Sequence, residues 1–338
     1  MSSLFRRAFR WPTMTCPIGT DVQRAARILK NGGLVAFGTE TVYGLGADAS
    51  DETAVARVFA VKGRPRFDPL IVHLADAAWL KRVVADIPAL VQPLADRFWP
   101  GPLTLVLPKA DRVPDLVTAG LPTAAVRVPD HPLALELLQA ADIPVAAPSA
   151  NPFGRTSPTT AQHVAEQLGK EIDYILEGGP CRVGLESTVL DLCHSPAMLL
   201  RPGGVTREEI ESVVGPVGIP EKTIGHDQSA VPSPGMLTRH YAPATRLILV
   251  ETISDLPETC DAGRVGVLAL QAIDDPDRYA FVEVLSAAGD LIEAAAGFFA
   301  ALRRLDAQKP DVIAAVRFPE EGLGHALNDR LRRAATND

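Results

Sequence analysis

Apolar positions along this chain recur at two spacings, and the changes from one to the other predict its elements. In "DVQRAARILKNGG" they recur every three or four residues, which predicts a helix capped by Thr20 and stopped by Gly32 and Gly33. "LVAF" follows as a buried strand, then "GTETVYGLGADAS" as a loop. "DETAVARVFAV" sets Val55, Val58 and Phe59 on one helical face with Ser50 or Asp51 as cap, and "LIVHL" returns to a buried strand. Further on, "TLVLP", "AAVRVP", "IPVAAP", "DYILEG", "STVLDL" and "AMLLRPG" read as strands, and "HPLALELLQAA" and "TAQHVAEQLG" as helices. The last two strands follow each other with no helix between them. A purely parallel sheet needs crossovers, so the expected architecture is a mixed, twisted α/β sheet.

Periodicity lapses from about Pro216 to Pro243, where Pro, Gly and Ser predict a linker. Beyond it "RLILV", "RVGVLAL", a helix around Leu291–Leu305, "DVIAAV" and "GHALNDRLRRAA" predict a smaller, Rossmann-like parallel α/β domain. The expected organisation is an arm over 1–16, a catalytic domain over 17–215, a linker or lid over 216–243 and a C-terminal domain over 244–338.

Length and charge narrow the function. A chain of 338 residues suits two domains. A formal charge of -8 is the wrong sign for a protein that coats nucleic acid. The four cysteines are scattered with no C-x-x-C pair, which argues against disulfides or structural zinc and fits a reducing cytoplasm. No apolar run approaches a membrane span. The opening "MSSLFRRAFRWPTMT" lacks the apolar stretch of a secretory signal and is read as an arm without function.

The chemistry gathers in the loops. "KGRPRFDPL" sets Lys62, Arg64 and Arg66 between a helix and a strand; read alone, Lys62 is a solvated loop cation. "GLGADA" matches G-x-G-x-x-A after a strand, but the helix opens only at Asp51, which disfavours a dinucleotide site. "GTETVYGLG" clusters hydroxyls between glycines, either an ordinary turn or a binding loop. In "APSANPFGRTSPTT", Ser149 and Asn151 stand at a strand end, where open α/β sheets bind ligands, although Asn151 also suits an Asx turn. Ser157 or Thr159 is expected to cap the next helix.

Arg127 and Arg201 lie in apolar strands, and a half-buried arginine needs an anion. A structural carboxylate would serve. With Lys62, Arg64 and Arg66 nearby, a polyphosphate plus a carboxylate would serve as well. His73 in "LIVHL" reads first as a core histidine. No H-x-x-x-H, H-E-x-x-H, P-loop or G-x-S-x-G pattern occurs, so no protein-held metal and no covalent nucleophile is expected. What remains is phosphate chemistry by positioning and electrostatics.

Seven segments in this order resemble the YrdC-like domain of the L-threonylcarbamoyladenylate synthase family: "GTETVYGLGADA", "KGRPRFDPLIVH", "FWPGPLTLVL", "AAVRVPDHP", "APSANPFGRTSPT", "GLESTVLDL" and "LLRPGGVT". "SPGMLTRHYAP" resembles the linker of its two-domain form. The resemblance implies that threonine, bicarbonate and ATP, with Mg²⁺ held mainly through the nucleotide, give threonylcarbamoyladenylate and pyrophosphate. The product then passes to a tRNA-modification transferase complex acting beside the anticodon. It implies weak tRNA contact at most, no membrane, and a cytoplasmic setting.

Carried over by position, the resemblance implies that Lys62 and Arg64 hold phosphates, with Asp68 near the nucleotide. Thr41, His73, Arg127 and Ser187 surround threonine, Arg127 pairing its carboxylate. Thr123, Ser149, Asn151, Thr159 and Arg201 line the nucleotide side, Ser149 reaching towards threonine or carbamate. Lys62, Arg64, Ser149 and Asn151 carry the catalytic roles, and Tyr241 closes over the site.

Four positions depart from the family pattern. Gly38 replaces a proline and is expected to loosen its loop. Asp68 replaces an asparagine and opposes phosphate unless Arg64 or Arg66 pairs it. Leu237 and Thr238 replace a lysine and a tyrosine in the linker. An RNA-binding module without ATP turnover is the alternative, and a salt-dependent RNA shift would favour it; it leaves the threonine-side residues unexplained. A related carbamoyl transferase of hydrogenase maturation shares the domain but carries cysteine-rich modules that this chain lacks.

Overall fold

The computed structural model describes residues 16–220 and 240–336. The predicted arm, apart from Cys16, and the linker positions Leu237 and Thr238 lie outside the described residues. The first half contributes β1 (Ile18–Gly19), β2 (Val35–Phe37), β3 (Gly44–Asp48), β4 (Ile71–His73) and β5 (Leu103–Pro108). It continues with β6 (Thr123–Arg127), β7 (Val145–Ala146), β8 (Tyr174–Leu176), β9 (Thr188–Asp191) and β10 (Met198–Arg201). These form one sheet in the order β1-β8-β2-β3-β7-β4-β6-β5-β9-β10. It is mixed: β4–β6 and β5–β9 are parallel, while β2–β3, β5–β6 and β9–β10 are antiparallel.

One predicted loop is a strand. "GLGAD" forms β3, with Gly44 opposite Phe37 and Gly46 opposite Val35. The reason is packing: a Cβ on Gly46 would lie 2.8 Å from the Phe37 ring and 2.9 Å from Val145. These glycines admit neighbouring side chains rather than a pyrophosphate, so the dinucleotide reading fails. Two caps also differ. Asp21, not Thr20, caps the Val22–Lys30 helix by accepting from Arg24 N, and Thr160, not Ser157 or Thr159, caps Ala161–Leu168.

The second half builds a separate parallel sheet of β11 (Leu247–Val250), β12 (Val265–Ala269), β13 (Phe281–Val284) and β14 (Val312–Val316), in the order β11-β14-β12-β13. The strand β13 escapes the periodicity because it is an edge strand whose end residues, Phe281 and Val284, stay exposed to solvent. The Leu291–Ala307 helix, capped by Asp290, buries Phe298, Phe299 and Leu302. That core does not stop at the boundary between the halves, because Val42, Leu185 and Tyr241 pack into it. Among the described residues no helix is long and apolar enough to cross a membrane.

Candidate active site

The parallel register of β4 and β6 sets His73 beside Arg127 at the carboxyl ends of both strands. The end of β10 supplies Arg201, and Ser187 stands one residue before β9. Together with Thr41, Arg64, Ser149 and Tyr241 they line one cavity of about 50 Å³. Polar groups at strand ends are where open α/β sheets bind ligands.

On one side Arg127 is buried and donates to Thr41 Oγ1 at 2.9 Å and to Glu40 Oε2 at 3.1 Å. Its Nε has no hydrogen-bond partner among the described residues. Burial lowers the Arg127 pKa and Glu40 opposes that effect. His73 is buried, with Nδ1 unpartnered and its ring edge-on to Phe37. Burial first, and Arg127 second, hold its pKa down to about 3, so at neutral pH the imidazole is uncharged. The loop that carries Thr41 is tied down despite Gly38: Thr39 Oγ1 donates to Val42 O at 2.7 Å and shares a 2.8 Å bond with Thr41 Oγ1.

On the other side Lys62 is not a solvated loop cation. It is the last residue of the Glu52–Lys62 helix, which Asp51 caps and Gly63 ends in the left-handed region at φ 61°. The side chain is buried, and Nζ donates to Ser149 O at 2.5 Å and to Asn151 O. Burial, then the neighbouring Arg64, push its pKa well below the ordinary lysine value. The sequence misplaced it because a helix end and a loop start look alike around a Lys-Gly pair.

Arg64 donates to Asp68 O at 3.1 Å and Pro69 O at 2.8 Å, and its Nη2 lies 2.9 Å from Asp68 Oδ2. That last contact is an ion pair without hydrogen-bond geometry, so both Asp68 oxygens are without a hydrogen bond among the described residues. Arg64, not the exposed Arg66, therefore neutralises the departure at Asp68. Burial raises the Asp68 pKa, and Arg64, Lys62 and Arg201 offset part of the rise.

Arg201 reaches Ser187 O through Nε at 3.2 Å and Nη2 at 2.8 Å, and Ser187 Oγ shares a 2.7 Å bond with Thr104 Oγ1. Tyr241 is buried at φ 66° with its hydroxyl unpartnered among the described residues. Asn151 does turn its own loop, its amide donating to Pro152 O and Arg155 O, while Oδ1 is buried without a partner. Lys62, Asp68 and Asn151 thus stand directly behind the lining residues.

Two predicted residues stand apart. Thr123 opens β6 opposite Pro108 and faces the same side as Arg127, about 13 Å away at the usual strand rise. Thr159 is buried in its loop, where its carbonyl accepts from Cys181 N and its hydroxyl meets His163 Nδ1 at 3.4 Å. Neither lines the cavity.

Three lining or supporting residues escaped prediction: Glu40, Glu186 and His240. Each stands inside a quoted segment, "GTET", "GLEST" or "RHYAP", next to a residue that was named. A buried arginine needs a carboxylate, and that requirement points to the two glutamates. Metal ligation has no comparable support, since no group of three or more His, Cys, Asp or Glu converges among the described residues.

Known proteins match this chain over most of its length. A family model described as "Telomere recombination" (Sua5_yciO_yrdC) matches residues 27–203, and one described as "Threonylcarbamoyl-AMP synthase, C-terminal domain" matches 205–336. The threonylcarbamoyl-AMP synthase of Pyrococcus abyssi is 45% identical over 325 residues, 93% of this chain and 94% of that protein. The crystal structure of P. abyssi Sua5 complexed with L-threonine superposes with a TM-score of 0.87 at 43% identity, covering 95% of this chain and 98% of that one. The threonylcarbamoyl-AMP synthase of Halorhodospira halophila is 41% identical over 166 residues, which are 48% of this chain but 87% of that protein. That relative is too short to hold both matched regions.

Proposed function

We propose a reaction course from one premise: the chain belongs to the threonylcarbamoyl-AMP synthase family. It is an enzyme of that type and makes threonylcarbamoyl-AMP, the first step towards threonylcarbamoyl-adenosine in tRNA. Threonine, bicarbonate and ATP are its substrates. The threonine nitrogen bonds to the bicarbonate carbon as a carbon–oxygen bond breaks and water leaves with the nitrogen's proton, which gives a carbamate. A carbamate oxygen then bonds to the α-phosphorus of ATP as the bond to the pyrophosphate oxygen breaks, in line.

The observation that carries this reading is the convergence of three buried arginines, Arg64, Arg127 and Arg201, on one cavity beside the Ser149 hydroxyl. Arg127, with its spare Nε, pairs the threonine carboxylate between Thr41 and His73, and uncharged His73 adds no competing cation. Arg64 and Arg201 face the polyphosphate, with Lys62 one layer behind them, and stabilise charge as it moves to the leaving group. Ser149, Asn151 and Ser187 orient the reacting groups, and Thr123 and Thr159 belong to the outer nucleotide side. A divalent cation would come bound to the nucleotide and would supply further charge neutralisation there.

A cavity of about 50 Å³ is far smaller than the several hundred Å³ a nucleotide-sized ligand fills. Binding must therefore displace part of the wall. The His240–Tyr241 segment, which follows the linker and precedes the second sheet, acts as a lid that closes over the mixed anhydride and excludes water. In this division residues 17–215 carry catalysis, 216–243 the linker and lid, and 244–338 the C-terminal domain. A transferase complex receives the product, with weak tRNA contact at most. Four free cysteines support a cytoplasmic setting.

The deciding experiment measures pyrophosphate release from ATP with threonine and bicarbonate omitted in turn. Release that needs both is expected. ATP cleavage indifferent to threonine would overturn the proposal, and RNA binding without turnover would put the RNA-module reading in its place.

A further inference from the structure

The most deeply buried charge in the second half points away from its own sheet. Arg330, on the Gly324–Ala335 helix, is 0% exposed, and its Nε donates to Glu186 Oε2 of the first half at 2.8 Å. Its Nη1 donates to Asp329 Oδ2 at 2.7 Å, and its guanidinium carbon stands 5.0 Å from the centre of the Tyr241 ring. Burial works against its charge, but Tyr241, Glu186 and Asp329 outweigh burial and raise its pKa above the ordinary arginine value.

The loop that holds Glu186 is seated on the second half residue by residue. Gly184, at φ 72°, comes so close to the Leu291–Ala307 helix that a Cβ there would lie 2.4 Å from Ala295 O. Leu185 enters the second core. Glu186 meets Arg330 with one oxygen and takes the Ser157 hydroxyl at 2.5 Å with the other. Ser187 then turns into the cavity, where Arg201 holds it.

Glu186 itself lines the cavity. Without a cation behind it, its carboxylate would face a polyphosphate in a site of low dielectric, where like charges repel strongly. We infer that Arg330 is a positioning residue of the active site, supplied by the C-terminal domain, which neutralises Glu186 and holds the Tyr241 ring so that the cavity accepts the phosphates of ATP. Arg330 acts through its two neighbours and does not itself line the cavity. The inference rests on the synthase reading above.

The test compares wild type with Arg330→Met, Arg330→Lys and the double variant Arg330→Met/Glu186→Gln, in the full chain. KM for ATP, KM for threonine and kcat are read from pyrophosphate release. Arg330→Met is expected to raise KM for ATP by about tenfold or more, with KM for threonine little changed. Arg330→Lys should recover part of the loss. The double variant, with both buried charges gone, should show a lower KM for ATP than Arg330→Met alone.

A folded Arg330→Met protein with wild-type KM for ATP overturns the inference. If Arg330→Met does not fold, Arg330→Lys decides: a KM for ATP raised by a few-fold with KM for threonine unchanged upholds the inference, and wild-type KM for ATP overturns it. Wild type without threonine-dependent pyrophosphate release overturns the synthase reading and this inference with it. Active wild type beside an unaffected Arg330→Met overturns this inference alone.

Discussion

The two sheets of this molecule dispose of charge in opposite ways. In the large mixed sheet and its loops, Lys62, Arg64, Asp68, His73, Arg127 and Arg201 are all buried around one cavity. In the small parallel sheet the strand interiors are apolar: Val265, Val267, Ile313, Ala314 and Ala315. A parallel α/β sheet of this kind commonly binds ligands at its strand ends, yet the buried charges of this half, Arg330 and Arg333, stand on its last helix. The first half builds a site, and the second builds a wall for it. A shorter relative with the same name shows that the wall is not universal. In this chain, however, Gly184, Leu185 and Glu186 are shaped to meet it.

The strongest way to break this comparison acts on the first half. Lys62→Ala is expected to abolish pyrophosphate release. Because the amine satisfies Ser149 O and Asn151 O inside the protein, the same change should lower unfolding free energy by about 1–3 kcal/mol. Turnover assays and chemical denaturation read the two effects separately. Normal turnover would remove Lys62 from the site. Lost turnover at full stability would return it to the role of a solvated cation.

Next comes the wall. Gly184→Ala adds a methyl group at positive φ against the backbone of Ala295 and Ala296. A loss of about 1–3 kcal/mol is expected, because a helix backbone cannot give way as a side-chain tip can. If thermal unfolding of Gly184→Ala matches wild type, the two halves do not meet as tightly as described.

How much of this was legible beforehand depends on whether a residue's neighbours were near in sequence. Strands with apolar runs, such as β5 and β14, and the amphipathic closing helix follow from local periodicity. So does the contrast between a mixed and a parallel sheet, from the missing crossover between β9 and β10. The strand β3 was missed because its glycines look like a loop until Phe37 and Val145 are seen to fill the space beside them. The partner of Arg127 is Glu40, 87 positions away, and that of Arg330 is Glu186, 144 positions away. Sequence shows that such arginines need an anion, but only the fold chooses it.

Acid should separate the halves as well, since two of the histidines whose pKa burial lowers, His73 and His240, line the cavity and the third, His163, stands on a helix of the first half. For His73 the folded value of about 3 lies below the ordinary 6.5, so the folded state prefers the neutral ring. Its contribution to stability is complete above pH 6.5 and is lost as pH falls from there towards 3. Within that window His73→Phe should make the fall of stability with acid shallower by about 1.4 kcal/mol per pH unit. Denaturation series at pH 7, 6 and 5 measure the slope. An unchanged slope would mean that the ring already reaches water or protons in the folded protein.

The smallest expected effect tests the balance of charge inside the first half. Asp68 pairs with Arg64, so on the proposed reading part of the arginine's field would be spent before ATP arrives. Asp68→Asn removes one negative charge and keeps the shape. The amide oxygen can accept from Arg64, and among the described residues neither Asp68 oxygen has a hydrogen bond to lose. Lower KM for ATP, by about threefold, with kcat nearly unchanged is expected from a like charge removed near the phosphates in a partly screened site. A rise in KM would reverse the assignment: Asp68 would then serve the site by aiming the Arg64 guanidinium, and orientation would outweigh repulsion. In that case the first half would hold its phosphate cation in the way the second half is inferred to hold Glu186, by an opposite charge placed one layer behind the cavity.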